Sequence, residues 1–578
     1  VSPKVPAALW LEALGAATVH GLSTELRGLT AGSHRLRRAK APRFAATPRD
    51  FRPDDPEAGV ALLAGRLTLA GATLELGPGG DPWDRPSPTR RFAVELHRFA
   101  FLPGLVACGE PGAREALRLF LDWRRLFWRP SAFAWGPEVL ERRVFNLAVA
   151  ARRMAGVASE VEGAELTGSL LHQAHLLAGG WGGVRRAERA VVAAVGAGAL
   201  AGPAAEALLD RALARALRAL QETVLADGGH RTRSPEAGLE LLFDLLTLDD
   251  VLLQRGRETP PGLVTAMDRL GAAVRFHTLS DGRLAAFHGG AAAAAERVRA
   301  ALNEDALDAP PAGQAPHSGY HRLDAKTLHI MLDTGAPATG RWSVTACAQP
   351  GAFELTAGAD RLFANGGWSP DASGPQALRL TAAGVTLQVQ DGSVGAPLTG
   401  FLARALGGRL LGGAQQVRVR REETEVGGWL EMNHDGWVRS VGLTHDRRLY
   451  LDHRIDEARG EEVLTPAPGR AGPSTPAPFC VRFHVFPGVE VSLARDGRSV
   501  MLRGPSGQGW WFRNDAPEVA IEPSVCFLDG QPHRTEQVVL RDAVGQEGAR
   551  IRWKLSPIET PPKTKPKPAE DAVPEMLA

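Results

Sequence analysis

Apolar and polar residues follow two different rhythms along this chain, and the change of rhythm falls near residue 310. Between about residues 91 and 301, apolar positions recur every three to four residues, the period of helices that bury one face. Leu209, Leu213, Leu217, Leu220 and Val224 form one such stripe, and similar patterns occupy 114–127, 138–155, 165–178, 236–254 and 262–277. Gly and Pro punctuate the intervals, where chains turn. The segments fall into rough pairs, which predicts a curved α/α array without the strict period of a solenoid. Ahead of the array, 61–76 (ALLAGRLTLAGATLEL) alternates about a Gly-containing break and reads as a small hairpin.

After a linker at 308–316, rich in Pro, Ala and Gly, the period shortens to two. Residues 327–332, 377–389, 416–421, 429–433, 479–485, 500–503 and 537–541 read as short strands, and many short strands joined by turns predict an antiparallel β-sandwich. The expected organisation is an N-terminal segment with a hairpin (1–90), a helical domain (91–307), a β-sandwich (317–556) and a Lys/Pro-rich tail (557–578). The tail carries KTKPKPAED with almost no aromatic residues and is expected to be disordered.

Composition narrows the class. With 578 residues, 44% hydrophobic and 23% charged, the chain has material for more than one globular core, which excludes collagen, coiled coil or disorder as a global description. Its 67 Lys+Arg against 65 Asp+Glu leave a net charge of +2, so no overall field attracts polyanions and nucleic acid is not an expected partner. Sixty of the 67 cations are Arg, whose planar fork suits carboxylate or sulfate; only local groupings of them are informative. Cys108, Cys347, Cys480 and Cys526 lack CxxC spacing, which argues against a zinc knuckle or a disulfide framework. Residues 1–22 carry Glu12 and His20 and make a poor secretory signal. No membrane span is expected; the Ala/Gly run at 190–207 comes nearest, with Glu188, Pro203 and Glu206 bounding or breaking it.

Several strings carry a family resemblance: LADGGHRTRSP (225–235), FHTLSDGRLAAFHGG (276–290), PHSGYHRLDAKTLHIMLDTG (316–335), RWSVTACAQPGAFELTAGADRLFANGG (341–367), NHDGWVRSVGLTHDRRLYL (433–451) and HRTEQVVLR (533–541). In order and context they resemble heparinase II/III family proteins of the alphaproteobacterial branch, over about residues 60–556. The resemblance implies an α+β multidomain chain, an incomplete α/α toroid followed by an antiparallel β-sandwich, with a carbohydrate-facing cleft between them. It also implies a polysaccharide lyase of the alginate and heparin lyase superfamily, acting by β-elimination on a uronate-containing acidic polysaccharide or oligosaccharide. That reaction removes the proton beside the uronate carboxylate, so it needs a neutraliser for the carboxylate and a base.

In the family these are an Asn-His pair on a toroid helix, a Tyr shortly after the DGGH loop and a His from the start of the β-domain. Carried over position by position, they are missing here. The helix at 167–180 places Gly168 and Ser169 at the Asn-His pair, Glu236 and Ala237 follow the DGGH loop, Cys347 replaces the His of AHAG, and Gly384 replaces the His of TAAHST. Tyr320 and Tyr450 are the only tyrosines, and neither lies in the helical domain. Tyr320 is a candidate base from the sandwich side, but core packing is the commoner role for such a residue.

The remaining candidates each have a bland alternative. His230 is the candidate catalytic residue, with Arg231 and Arg233 as anion forks; alternatively His230 caps one helix and Ser234-Pro235 opens the next. His288, Arg341, Trp342, Asn365 and Trp368 are candidate substrate contacts, with turn formation or core packing as the alternatives. His172 and His175 share a helix face but lack a third metal ligand, and Cys347 is a nucleophile only beside a base. Asp249 and Asp250 raise the separate possibility of an α/α-barrel glycoside hydrolase. No cofactor or metal is expected, with a metal in the β-sandwich left open. Two functions compete: a lyase, and a catalytically silent glycan-binding or structural envelope protein. The resemblance implies the envelope or periplasm; the poor signal segment leaves the cytoplasm as the alternative.

Overall fold

The computed structural model describes residues 5–30, 42–179, 182–302, 311–368 and 376–558. The first part of the expected linker and nearly all of the expected tail therefore lie outside the described residues.

Among the described residues the first half opens with the helix Ala7–Thr30, and seven further long helices form the array: Gly109–Phe127, Pro137–Ala155, Glu160–Leu177, Arg186–Gly198, Pro203–Thr223, Pro235–Gln254 and Pro261–His277. Their starts are written locally. Pro occupies the first turn of four of them, where its missing N–H is no loss. Ser159 and Glu162 close a capping box, and Ser234 Oγ accepts the Ala237 N–H. The stripe from Leu209 to Val224 packs inward, with Leu217 half-buried at its margin. The Ala/Gly run that came nearest to a membrane span is instead the central helix, Arg186–Gly198, buried along its whole length from Ala187 onward. Small residues make this possible: a Cβ on Gly198 would lie 2.4 Å from Val251 Cγ1, and one on Gly196 2.8 Å from Val144 Cγ1. Among the described residues no helix is long and apolar enough to cross a membrane.

The expected hairpin pairs Arg66–Leu69 with Ala72–Glu75 around Ala70 and Gly71, both at positive φ as a tight hairpin turn requires. The preceding segment is strapped across the array. Arg43–Phe44 pairs with Leu200–Ala201, and Arg52 reaches Asp50, Glu240 and Asp244.

The second half holds antiparallel sheets. A five-stranded meander runs Gln314–Ala315, Tyr320–Asp324, Leu328–Asp333, Phe353–Ala357 and Asp360–Phe363. A four-stranded sheet orders Leu387–Val389, Ala477–His484, Gln531–Val544 and Glu518–Leu528. An eight-stranded sheet runs in spatial order Val417–Glu423, Gly427–His434, Leu443–Asp452, Glu457–Pro466, Ala549–Pro557, Gly509–Asn514, Val500–Arg503 and Glu490–Leu493. Phe353, Phe363, Phe483, Phe512 and Trp553 meet in the core with ring centroids 4.8–6.4 Å apart.

One expected strand is corrected. Of 377–389 only Leu387–Val389 is extended; Gln376–Arg379 and Thr381–Ala383 are 3₁₀ turns. The buried Arg379 guanidinium donates to the carbonyls of Ser343, Ala346 and Gly408, and Thr381 Oγ1 donates to Ala348 O. These side-chain bonds hold the segment in turns where periodicity alone suggested a ladder.

Candidate functional site: the joint between toroid and sandwich

Two turns of the same design carry the helical array onto the sandwich. After Pro203–Thr223, Val224 bridges His230 around Asp227 and Gly228; after Pro261–His277, Thr278 bridges Leu284 around Asp281 and Gly282. Both glycines have positive φ, and each Asp accepts the backbone N–H two residues on. The other contacts of the two carboxylates cross the joint. Asp227 Oδ2 accepts His317 N–H, Ser318 N–H and Ser318 Oγ at 2.7–3.0 Å. Asp281 takes the fork of Arg361 at 2.8 and 3.0 Å. The repeat LADGG/LSDGR is visible in the sequence; its docking role is not.

Arg233 stands just beyond the first turn at φ 65°, in the left-handed region that side chains disfavour. It was a candidate anion fork; the structure corrects this. Its buried guanidinium donates to the carbonyls of Ser318, Gly319, Gly335 and Ala336 and pairs with Asp333. Burial would lower this charge, but Asp333 more than restores it, so the fork is permanently cationic and enclosed. Tyr320, the candidate base, donates its phenol to Arg233 O at 2.5 Å and lies under the guanidinium. Burial raises its pKa well above the ordinary phenol value.

Three further candidates are interior rather than cleft-lining. His288 is buried; the Cys347 N–H donates to its Nδ1, leaving Nε2–H for Asp333 at 2.8 Å. Burial pushes the Asp333 carboxyl upward, but Arg233 and His288 outweigh it and hold it at about 2. Asn365 donates from its side chain to Ala286 O and accepts Val385 N–H, while its own N–H goes to the buried Glu354. Trp368 packs against the Arg379 guanidinium.

His230, the candidate catalytic residue, is also enclosed. Thr232 N–H donates to Nδ1, so Nε2–H faces Glu188, 3.6 Å away. Burial raises the Glu188 carboxyl, and Arg185, with His230, reverses this to about 2. Arg185 in turn pairs with Glu141 at 2.5 Å. The cavity beside His230 and Tyr320 has a volume of about 10 Å³, about one water. Of the candidate catalytic and substrate-contact residues, Arg231 is exposed and Arg341 and Trp342 are half-buried. Both guanidiniums lie over the Trp342 ring, at 5.9 and 4.9 Å, and Arg341 pairs with Glu222 at 2.7 Å.

Several positions that the resemblance assigns to lyase chemistry are engaged in structural contacts, while a Cβ at Gly168 would meet nothing within 4 Å. Ser169 accepts Gln173 Nε2, and Gln173 holds the buried Arg143. Glu236 accepts Ala291 N–H. Burial pushes the Cys347 thiol up to about 11, and Gln349 fills the space beside Gly384, 2.9 Å from where a Cβ would sit. His172 lies between Trp128 and Trp135. Asp249 and Asp250 are corrected as hydrolase carboxylates: Asp249 accepts Thr259 Oγ1, and Asp250 accepts Arg49 N–H and Gln254 Nε2. Within the sandwich, His434 accepts Gly436 N–H and donates to His445, which donates to Glu462 beside Arg447. The two rings and the carboxylate bond to one another in a chain. Among the described residues no group of three His, Cys, Asp or Glu side chains is placed to hold a metal.

The description Heparinase II/III-like, C-terminal matches residues 308–554. The solved heparinase III superposes with a TM-score of 0.68 at 12% identity, over 94% of this chain and 90% of that one. The heparan sulfate lyase HepC mutant from Pedobacter heparinus gives 0.56 at 14% identity, over 93% and 88%. At such identities the likeness establishes the fold alone. The chain belongs to the heparinase II/III family. Its similarity extends through nearly its whole length to FtsZ-localized protein C of Caulobacter vibrioides (strain NA1000 / CB15N), 51% identical over 537 residues, 91% of this chain and 93% of the relative.

Proposed function

We propose that this chain is a heparinase-fold protein that does not cleave glycans and serves as a scaffold that localises with FtsZ. One observation carries the non-catalytic reading: Arg233 and Tyr320, the fork and the phenol nearest to lyase chemistry, are bonded to each other and to the domain joint. A β-elimination site must present such groups to the substrate. The localisation rests on the relative's name and on 51% identity over 91% of this chain; it favours the cytoplasm over the envelope.

Two assays test the proposal. Incubation with alginate, heparin, hyaluronan and pectate, followed by ultraviolet absorbance of the unsaturated uronate, is expected to stay flat, and the chain is expected to sediment with FtsZ polymers. A rise in absorbance that is lost in Tyr320→Phe rejects the silent reading. Failure to sediment with FtsZ rejects the scaffold reading.

A further inference from the structure

The outward face of the eight-stranded sheet carries two adjacent cross-strand rows of opposite character. One row reads Arg420, Glu431, Arg448, Glu461 and Arg552 in direct register. Its signs alternate and its cations are paired: Arg448 bonds Glu431 at 2.8 Å and Glu461 at 2.7 Å, Arg552 bonds Asp515 at 3.0 Å, and Arg420 bonds Glu422. The next row, two residues along each strand, reads Glu422, Trp429, Tyr450, Arg459, Lys554 and Arg513. Three cations stand directly opposite one another there, an arrangement that destabilises a sheet. One buried carboxylate, Glu457, serves both Arg459 and Lys554, while Arg513 lies over the Trp511 ring at 5.5 Å.

The aromatic end of this row is built as a platform. Trp429 is 50% exposed. Its ring centroid lies 4.6 Å from that of Tyr450, and Arg459 approaches the other side of Tyr450 at 5.6 Å. The Tyr450 ring lies across Gly427, where a Cβ would stand only 2.5 Å from Cε2. Glycine at that position lets the phenol lie flat.

We propose that this row binds an anionic sugar, its C–H face on Trp429 and Tyr450 and its carboxylate or phosphate on Arg459, Lys554 and Arg513. The platform offers an apolar face for the ring, and the cations begin one strand further on, about 4.8 Å away. A peptide is the poorer fit. The strands carrying the row from Trp429 to Arg513 are interior to the sheet, so their backbone groups already pair on both sides and cannot accept an added strand. Recognition therefore falls to a flat ring and a charge, which a pyranose acid or sugar phosphate supplies. The surface is separate from the toroid–sandwich joint, and nothing in it performs chemistry.

The test titrates the full chain with oligogalacturonate, its methyl ester, a hexose phosphate and polyglutamate, reading tryptophan emission and calorimetric heat. At least one anionic sugar is expected to bind, with the better of the two showing whether the charge is a polymer carboxylate or a phosphate. The bound sugar is expected to weaken about ten-fold in Trp429→Ala and in the double variant Lys554→Gln/Arg513→Gln, with thermal unfolding unchanged, and to weaken as salt rises. Several outcomes overturn the proposal: neither anionic sugar binding, the ester binding as tightly as the acid, or Trp429→Ala leaving affinity intact. Polyglutamate binding that matches the sugar and ignores Trp429 also overturns it, and assigns the row to an acidic protein segment.

Discussion

The domain joint and the outer sheet face use the same residue types in opposite ways. At the joint, Arg233, Asp333, His288 and Arg361 are buried and Asp281 is half-buried, each charge faces its counter-charge, and backbone carbonyls take the remaining donors. On the outer face, Arg459, Lys554 and Arg513 stand beside like charges in water. Enclosed ion pairs hold a geometry because removing one partner leaves a charge out of water with nothing to meet it, whereas exposed pairs are screened and exchange freely with solvent. The joint thus encloses its charges as internal structure, whereas on the outer face two cations share the single carboxylate of Glu457 and remain within reach of solvent.

The largest effect that would break this comparison lies at the joint. Arg233→Ala leaves Asp333 buried beside His288 alone and should destabilise the fold by about 3–5 kcal/mol, measured by chemical denaturation. A loss under about 1 kcal/mol would show that the guanidinium is not structural. Acid sharpens the contrast next. Asp333 and Glu188 are both held at about 2, against ordinary values of 3.8 and 4.5. Their folded values lie below the unfolded ones, so their contribution is complete above about pH 4.5 and is lost as pH falls toward 2. Melting temperature should therefore drop steeply between pH 4.5 and pH 2.5, and Asp333→Asn should flatten part of that drop. The smallest effects belong to the outer face. Arg448→Ala should cost no more than about 1 kcal/mol, and Lys554→Gln should change stability by no more than about 1 kcal/mol, because relief of the like-charge row offsets the loss of one of the two partners of Glu457.

Much of the architecture was legible from periodicity. The inward stripe of the Pro203–Thr223 helix, the 61–76 hairpin and the strands around 429–433 and 479–485 follow from which positions are apolar. The Arg186–Gly198 helix was not legible in this way, since a helix buried all round has no polar face to mark its period. The 3₁₀ turns at Gln376–Arg379 and Thr381–Ala383 escaped for another reason: long-range bonds from Arg379 and Thr381 decide them.

The exposure of the candidate site residues was not legible in the sequence. Residue types after DGGH marked Arg231 and Arg233 as candidates, but sequence carries no sign of which way a guanidinium turns. Arg231 and Arg233 are two residues apart; one is exposed and the other enclosed by five backbone and side-chain groups of the sandwich.

By itself, the sequence determined the order of the two domains, the helix starts at Pro137, Pro203, Pro235 and Pro261, the two Asp-Gly turns, and the scarcity of tyrosine that leaves the helical domain without a phenol. These are local properties, set by backbone preference and composition. Only the tertiary structure decided that Tyr320, Arg233 and His288 close the joint, and that Trp429, Tyr450, Arg459, Lys554 and Arg513 form one row across five strands. Those facts depend on strand register and domain docking, which bring together residues far apart in the chain, and no local pattern encodes which partner a buried charge will find.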